Sequence, residues 1–222
     1  MPENTLFTYR TSVPAGRLFP DSSCWRDREA AVIDRYWNGV SALQKKGHNW
    51  NNLTEVFSLW DSEHIYFRFR CWYQTALSSI EKAEALDIED GPDVLMIFLK
   101  LPGCDDYFEL VVNPDGSFHD LHIRVPHLRI NADWSSGLVV DSQINESERI
   151  WKGVLRLPYS HLAVNGGNVP MPSIGDVWRT TFGRVVDINP EIEYLAWRPT
   201  FTSQPDFHVP HSFGNLIFLG EE

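Results

Sequence analysis

The stretch from Leu53 to Tyr73, LTEVFSLWDSEHIYFRFRCWY, constrains this chain more than any other. It reads as two β-strands joined by a tight polar turn. Successive side chains on a strand point to opposite faces. Ile65, Phe67, Phe69 and Cys71 therefore share one face, and Tyr66, Arg68, Arg70 and Trp72 share the other. The first is a core face. The second mixes two aromatics with two guanidiniums, an odd composition for a plain solvated face.

More strand signals follow. DVLMIFLKL is an apolar run of strand length, and DDYFELVV alternates. Asn113-Pro114-Asp115-Gly116 then supplies a turn, with Pro presetting φ and Gly accepting the left-handed conformation. SFHDLHIRV returns, so Asp105 to Val125 is a predicted hairpin. Leu138 to Ile144, Ile150 to Leu157, Trp178 to Asp187, YLAW and FGNLIFL read as further strands. Thr5 to Pro20 reads as irregular. Trp25, Ala30, Ile33 and Trp37 have the spacing of a short helix, though Val32 and Tyr36 blur its face. ALSSIEKAEALDIED follows a Thr able to cap it and is a second predicted helical insertion, ended by Gly91-Pro92. Pro199, Pro205 and Pro210 exclude ordinary strand from the loop before the last one. Short strands joined by turns and long loops, with no repeat or linker, predict one all-β domain over 1–222: an antiparallel β-sandwich with one or two short helical insertions.

The balance of 30 acidic against 19 basic residues gives a formal charge of −11. Such a chain repels nucleic-acid phosphates and anionic membranes, so neither is an expected partner. Aromatic residues make up 13%, including nine Trp, which suits sandwich cores or flat ligand-stacking surfaces. Three Cys (Cys24, Cys71, Cys104) have no metal-like spacing and read as free thiols. MPENTLFTYR has neither the basic nor the apolar region of a signal peptide, so a cytoplasmic location is expected; a signal removed from the sequence would make the protein extracellular.

The order SLWDSEHIYFRFR, IEDGPDVLMIFL, YFELVVNPDG, WKGVLRLPYSHL, GDVWRTTFGRV, YLAWRPT and HVPHSFGNLIFL resembles the family 9 carbohydrate-binding modules and their looser relatives in the DOMON-like sandwich superfamily. The resemblance spans roughly Phe19 to Leu219. It implies a jelly-roll-type sandwich that binds a saccharide without catalysis, in carbohydrate catabolism, and that serves a carbohydrate-active enzyme. In the family two tryptophans sandwich a sugar ring and charged or amide groups bind its hydroxyls. Those positions fall here on Asp90 and Phe207 for the tryptophans, on Met96 and Val111 for the charged pair, and on Gln204 for the amide. The aromatic and the amide survive; the charged clamp does not. Structural calcium is also implied, with Glu89, Asp90 and Asp93 as oxygen donors, although their spacing matches no defined calcium loop.

Aromatic faces against C–H groups, with planar donors to hydroxyls, are the chemistry of sugar binding. The candidate ligand-binding residues are therefore Arg68, Arg70 and Trp72, with Glu109 and Asn113 on the same side if the sheet continues through the next hairpin, and Asp90, Gln204, Phe207 and His208 on the rim. Asp120, His122, Arg124, Arg179 and Thr181 are further candidates for that face. Against this stands a structural reading, in which the arginines pair with Glu109 and Asp120 and snorkel over the sheet while Trp197 and Phe207 only anchor their loop. Two other functions stay open. One is a sugar-active enzyme, a glycoside hydrolase or an auxiliary domain of one, with two carboxylates of the same face flanking the scissile bond. The other is haem binding through Met96 and a loop histidine. His119 and His122 face opposite sides of a strand and do not form a metal pair.

Overall fold

The computed structural model describes residues 4–42, 52–74, 77, 93–131, 133–163, 171–188 and 191–221. Nearly all regular structure in it is strand. In chain order the strands are β1 (Thr5–Arg10), β2 (Ala31–Ile33), β3 (Arg35–Tyr36), β4 (Thr54–Trp60), β5 (His64–Trp72), β6 (Val94–Lys100) and β7 (Tyr107–Val112). They continue as β8 (Phe118–Val125), β9 (Arg129–Asn131), β10 (Val139–Asn145), β11 (Ile150–Pro158), β12 (Val177–Asp187), β13 (Ile192–Ala196) and β14 (Gly214–Leu219).

The two hairpins legible in the sequence are present. Thr54–Trp60 pairs with Ile65–Cys71, and the turn between them is held by Asp61 Oδ1, which accepts from the amides of Glu63 and His64 at 2.8 Å each. β7 and β8 pair from Val112↔Phe118 to Tyr107↔Ile123, with Gly116 at φ 85° in the turn.

The sheet runs β10-β11-β5-β4-β1-β14-β12-β6-β7-β8-β9 and curls so that both ends face a common core. Phe67 and Phe69 of β5 meet Leu95, Ile97 and Leu99 of β6, Phe108 and Leu110 of β7, and Phe182 of β12 there. Phe67 and Phe182 pack edge to face at 5.9 Å. Cys71 is buried in this core as a free thiol, as its place on the strand implies.

The sheet is mixed, not purely antiparallel as expected. β1, read as irregular in sequence, lies between β14 and β4 and is parallel to both. Its residues bury on both faces, so TLFTYR shows no clean period of two. Thr8 and Ser58, in register and both buried, share a hydrogen bond of 2.8 Å.

The helix suggested around Trp25–Trp37 does not form. A 3-10 turn at Ser22–Trp25 precedes the short strands β2 and β3, and Trp25 packs outward on Tyr9, Phe57 and Tyr66. The second expected helix, in ALSSIEKAEALDIED, lies outside the described residues.

Each half of the sheet also carries a layer on its outer face. On the β4–β5 side this is Tyr9, Trp25, Phe57, Leu59 and Tyr66. On the β6–β7–β12 side it is Val94, Met96, Phe98, Tyr107, Val111, Val185, Ala196, Phe207 and Phe213. The second layer explains the unbroken apolar run of β6, which buries both of its faces.

Candidate functional site

Topology separates two groups of residues that the sequence placed in one groove. Arg68 and Arg70 sit opposite Phe57 and Glu55 on β4, on the outer face of the first half-sheet. Glu109 pairs with Phe98 and Leu121, on the outer face of the second half. The common core lies between them, because Phe67 and Phe69 on one side and Phe108 and Leu110 on the other point inward. Both groups lie on the outer surface of the one sheet, but its curl puts them on opposite sides of the common core, so Arg68, Arg70 and Trp72 do not line one groove with Glu109.

The Arg68/Arg70/Trp72 row is a network of internal contacts. The Arg70 guanidinium lies 2.6 Å from Glu55 Oε2, an ion pair outside hydrogen-bond geometry, and rests over the rings of Phe57 at 5.2 Å and Trp72 at 5.7 Å. Burial, and then the charge on Arg70, lower the Arg68 guanidinium below its usual value. The arginine partner is thus Glu55, not Glu109 or Asp120. His122 and Asp120 align with Phe108 and Leu110, on the opposite face of β7–β8 from Glu109. His122 stacks on Phe108 and shares a 3.0 Å hydrogen bond with Asp106. Asp120 accepts from the Ser136 amide. Arg179 and Thr181 do share the Glu109 side, through the pairs Arg179↔Lys100 and Thr181↔Phe98.

The Glu109 side brings together three residues singled out in sequence: Glu109, Phe207 and His208. The loop after Trp197 crosses this face. Phe207 lies 6% exposed over Phe98, and a Cβ at Gly183 would sit 3.2 Å from its ring and 2.8 Å from Met96 Cε. Glycine at 183 is what lets the loop dock. Phe207 is therefore an anchor, and the positions the family uses for its clamp, Met96 and Val111, are in-register apolar residues in the same layer.

His208 follows at the polar end. Its Nδ1 is 2.9 Å from the Tyr107 hydroxyl, and its Nε2 lies 3.7 Å from Glu109 Oε2, too long for a hydrogen bond. Its amide donates to Asp206 Oδ1 at 2.8 Å. Asp206 also meets His127 Nε2 at 3.2 Å, and the rings of His127 and His208 pack edge to face at 4.8 Å. Glu109 Oε1 and Thr181 Oγ1 are buried with no hydrogen-bond partner.

Burial governs the charge states. Glu109, 2% exposed, is pushed up to about 8 by loss of hydration, so it is mostly the neutral acid at pH 7. Burial, reinforced by His127 and opposed by Asp206, lowers His208 to about 4 and keeps it neutral. The arrangement is a neutral carboxylic acid, a neutral imidazole and a phenol, set among aromatic rings and able both to donate and to accept hydrogen bonds. Tyr107 and Asp206 were not foreseen in the sequence. Tyr107 lies two residues before Glu109, which a period-two reading could have exploited.

The remaining candidates scatter. Gln204 is exposed on the same loop, its backbone carbonyl accepting from Thr202 Oγ1. Trp197 packs on Phe182 in the inner core, as the structural reading held. Glu89 and Asp90 lie outside the described residues. Asp93 is 1% exposed and accepts from Arg184 Nη2 at 3.2 Å, so its carboxylate is committed to an internal ion pair and does not fit a calcium ligand. Met96 is fully buried, with its Cε and the Phe207 ring both crowded against Gly183. No group of three or more His, Cys, Asp or Glu able to hold a metal occurs among the described residues.

A separate cavity of 480 Å³ opens between the segment after β1 and the β4–β5 turn, lined by Arg10, Arg17, Asp61, Glu63 and Arg156 among others. It shares no lining residue with the Glu109 cluster.

No protein-family model matches the chain, and no curated protein matches it in sequence. Solved structures do. A candidate carbohydrate-binding protein from Bacteroides uniformis superposes with a TM-score of 0.71 at 15% identity, over 97% of this chain and 99% of that one. A family 9 carbohydrate-binding module from Caldicellulosiruptor kristjanssonii superposes in its complex with glucose at 0.65 and 13% identity, over 98% and 97%. Its cellotriose complex gives 0.63 and 14%, over 98% and 95%. At these identities the likeness establishes a family-9-like fold along the whole chain.

Proposed function

We propose that this protein is a β-sandwich module that binds a saccharide without catalysis, on the outer face of β6, β7 and β12 beside His208. Two lines support the reading. Fold neighbours that match nearly end to end include a module solved with glucose and with cellotriose. On this chain's own residues, Glu109 Oε1 and Thr181 Oγ1 are buried polar atoms with no partner. An unpartnered buried acceptor costs about 1–3 kcal/mol, and a ligand hydroxyl reaching it relieves that penalty. The Glu109 oxygen is the observation that carries the site assignment.

Neutral Glu109 and neutral His208 suit an uncharged ligand, since neither brings a net charge that demands a counter-ion. The positions that the family uses for its charged pair, Met96 and Val111, pack in one apolar layer with Phe207, so a charged clamp forms no part of this reading.

Hydrolysis would need a second carboxylate opposite Glu109 across a glycosidic bond. Asp206, the acid linked to the cluster through His208, is spent on His127 and the His208 amide. The binding reading is favoured for that reason. Isothermal titration with neutral mono- and oligosaccharides at pH 7 tests it. Saturable heat with at least one sugar is expected; no heat from any of them at millimolar concentration contradicts the proposal.

A further inference from the structure

The 480 Å³ cavity beside β1 lies apart from the Glu109 cluster and is lined by two arginines that this acidic chain leaves without an acid. Other arginines are answered: Arg17 pairs with Asp21, Arg35 with Asp34, Arg70 with Glu55 and Arg184 with Asp93. Arg10 and Arg156 make no ion pair among the described residues. Arg10 rests over the Trp60 ring at 5.5 Å, and Arg156 Nε is buried with no hydrogen-bond partner.

The fold sets these groups around one space. Arg156 of β11 is in register with Tyr66 of β5, so the two share the outer face of the first half-sheet, and both line the cavity. The Arg156 charge acts on the Tyr66 hydroxyl, opposing the burial that raises it. The segment 11–18 and the turn at Asp61 supply the walls. The acids of the lining do not neutralise the arginines. Asp61 is committed: its Oδ2 accepts from the Tyr66 hydroxyl at 2.6 Å, and its Oδ1 accepts from the amides of Glu63 and His64. Glu63 and Glu221 are exposed, where water and salt screen their charge. What is left is a half-buried guanidinium, a second one over Trp60, and the hydroxyls of Thr11, Ser12 and Ser62.

We propose that this cavity is a second binding site, for a small hydroxylated molecule carrying one oxyanion that Arg156 and Arg10 hold. A buried donor left without a partner costs free energy that a ligand oxygen recovers. The planar fork of a guanidinium matches a carboxylate and a phosphate equally, so a sugar acid and a sugar phosphate both fit the chemistry. The hydroxyls of the walls suit the polar body of such a ligand. The volume falls within the range of about 300–1,000 Å³ usual for small-molecule sites. The site shares no residue with the saccharide reading at His208 and does not depend on it.

Titration of the whole chain with glucuronate and with glucose 6-phosphate, at low and at high salt, tests this and tells the carboxylate from the phosphate. Saturable binding of at least one of them is expected, weakening as salt rises. Arg156→Gln should weaken it at least about tenfold, because a charge-assisted contact is lost, without lowering the melting midpoint. Arg10→Gln, at an exposed position, should weaken it in the same direction and decides the matter if Arg156→Gln does not fold. Arg70→Ala removes an equal charge from the same half-sheet and should leave the affinity unchanged. No heat from either anion at millimolar concentration overturns the proposal, whether or not neutral sugars bind. So does an affinity kept in the folded arginine variants, or one lost equally in Arg70→Ala.

Discussion

Glu109 Oε2 and His208 Nε2 face each other at 3.7 Å, both neutral at pH 7, on the outer face of the second half-sheet. Their pKa values are displaced in opposite senses by the same cause, burial. This gives the pair a recognisable pH signature. Between about pH 4.5 and 8 the folded state binds more protons at Glu109 than the unfolded chain, so Glu109 makes stability fall as pH rises. Between about pH 4 and 6.5 the unfolded chain binds more protons at His208, so His208 makes stability rise with pH. The two effects oppose up to about 6.5, and above it only the Glu109 loss remains. Melting midpoints measured from pH 5 to 8.5 should be nearly level and then decline, and Glu109→Gln should remove the decline relative to wild type.

Asp93 and Arg184 form an ion pair inside the core, with the guanidinium 4.8 Å over Trp151. Removing one partner of a buried pair leaves an uncompensated charge. Asp93→Asn should therefore destabilise the protein by about 3–5 kcal/mol in urea unfolding. A loss below 1 kcal/mol would show that Arg184 is satisfied by other means.

Gly183 and Gly214 both leave no free space for added bulk, but what blocks it differs. At Gly183 the obstructing atoms are Met96 Cε and the Phe207 ring, both side chains. At Gly214 a Cβ would meet the Trp197 ring at 2.7 Å and the Asn4 backbone oxygen at 2.8 Å. Gly183→Ala should cost about 1–3 kcal/mol and weaken saccharide binding by displacing the loop, whereas Gly214→Ala should cost more, because the backbone cannot step aside. Paired melts and titrations of the two variants check this.

On the first half-sheet, Arg70 is 40% exposed at its side chain and its ion pair with Glu55 is partly hydrated. Arg70→Ala should change stability by less than about 1 kcal/mol, and sugar affinity not at all.

The β-strands were largely legible in the sequence. Alternation in β5 and the Asn113–Gly116 turn located two hairpins, and the later strands fell within a residue or two of their observed limits. β1 was missed because both of its faces are buried, which erases the period-two pattern, and because parallel pairing with β4 and β14 leaves no turn signal. The site was legible only in pieces. Glu109, Phe207 and His208 were named, but strand alternation says which residues share a face of one strand and nothing about which half of a curled sheet that strand joins. Arg68, Arg70 and Trp72 were placed with Glu109 for that reason. Phe207 was expected on the rim, and its burial depends on Gly183, twenty-four residues earlier, which no local pattern reveals.

The central claim is that sugar binds beside His208 and not on the Arg70/Trp72 row. Titration of one bound saccharide into wild type, His208→Ala and Trp72→Ala tests it most directly. A loss of at least about tenfold in His208→Ala, with Trp72→Ala unchanged and both variants folded, is expected. The reverse pattern, affinity lost in Trp72→Ala and kept in His208→Ala, would contradict it and move the site to the outer surface of the first half-sheet.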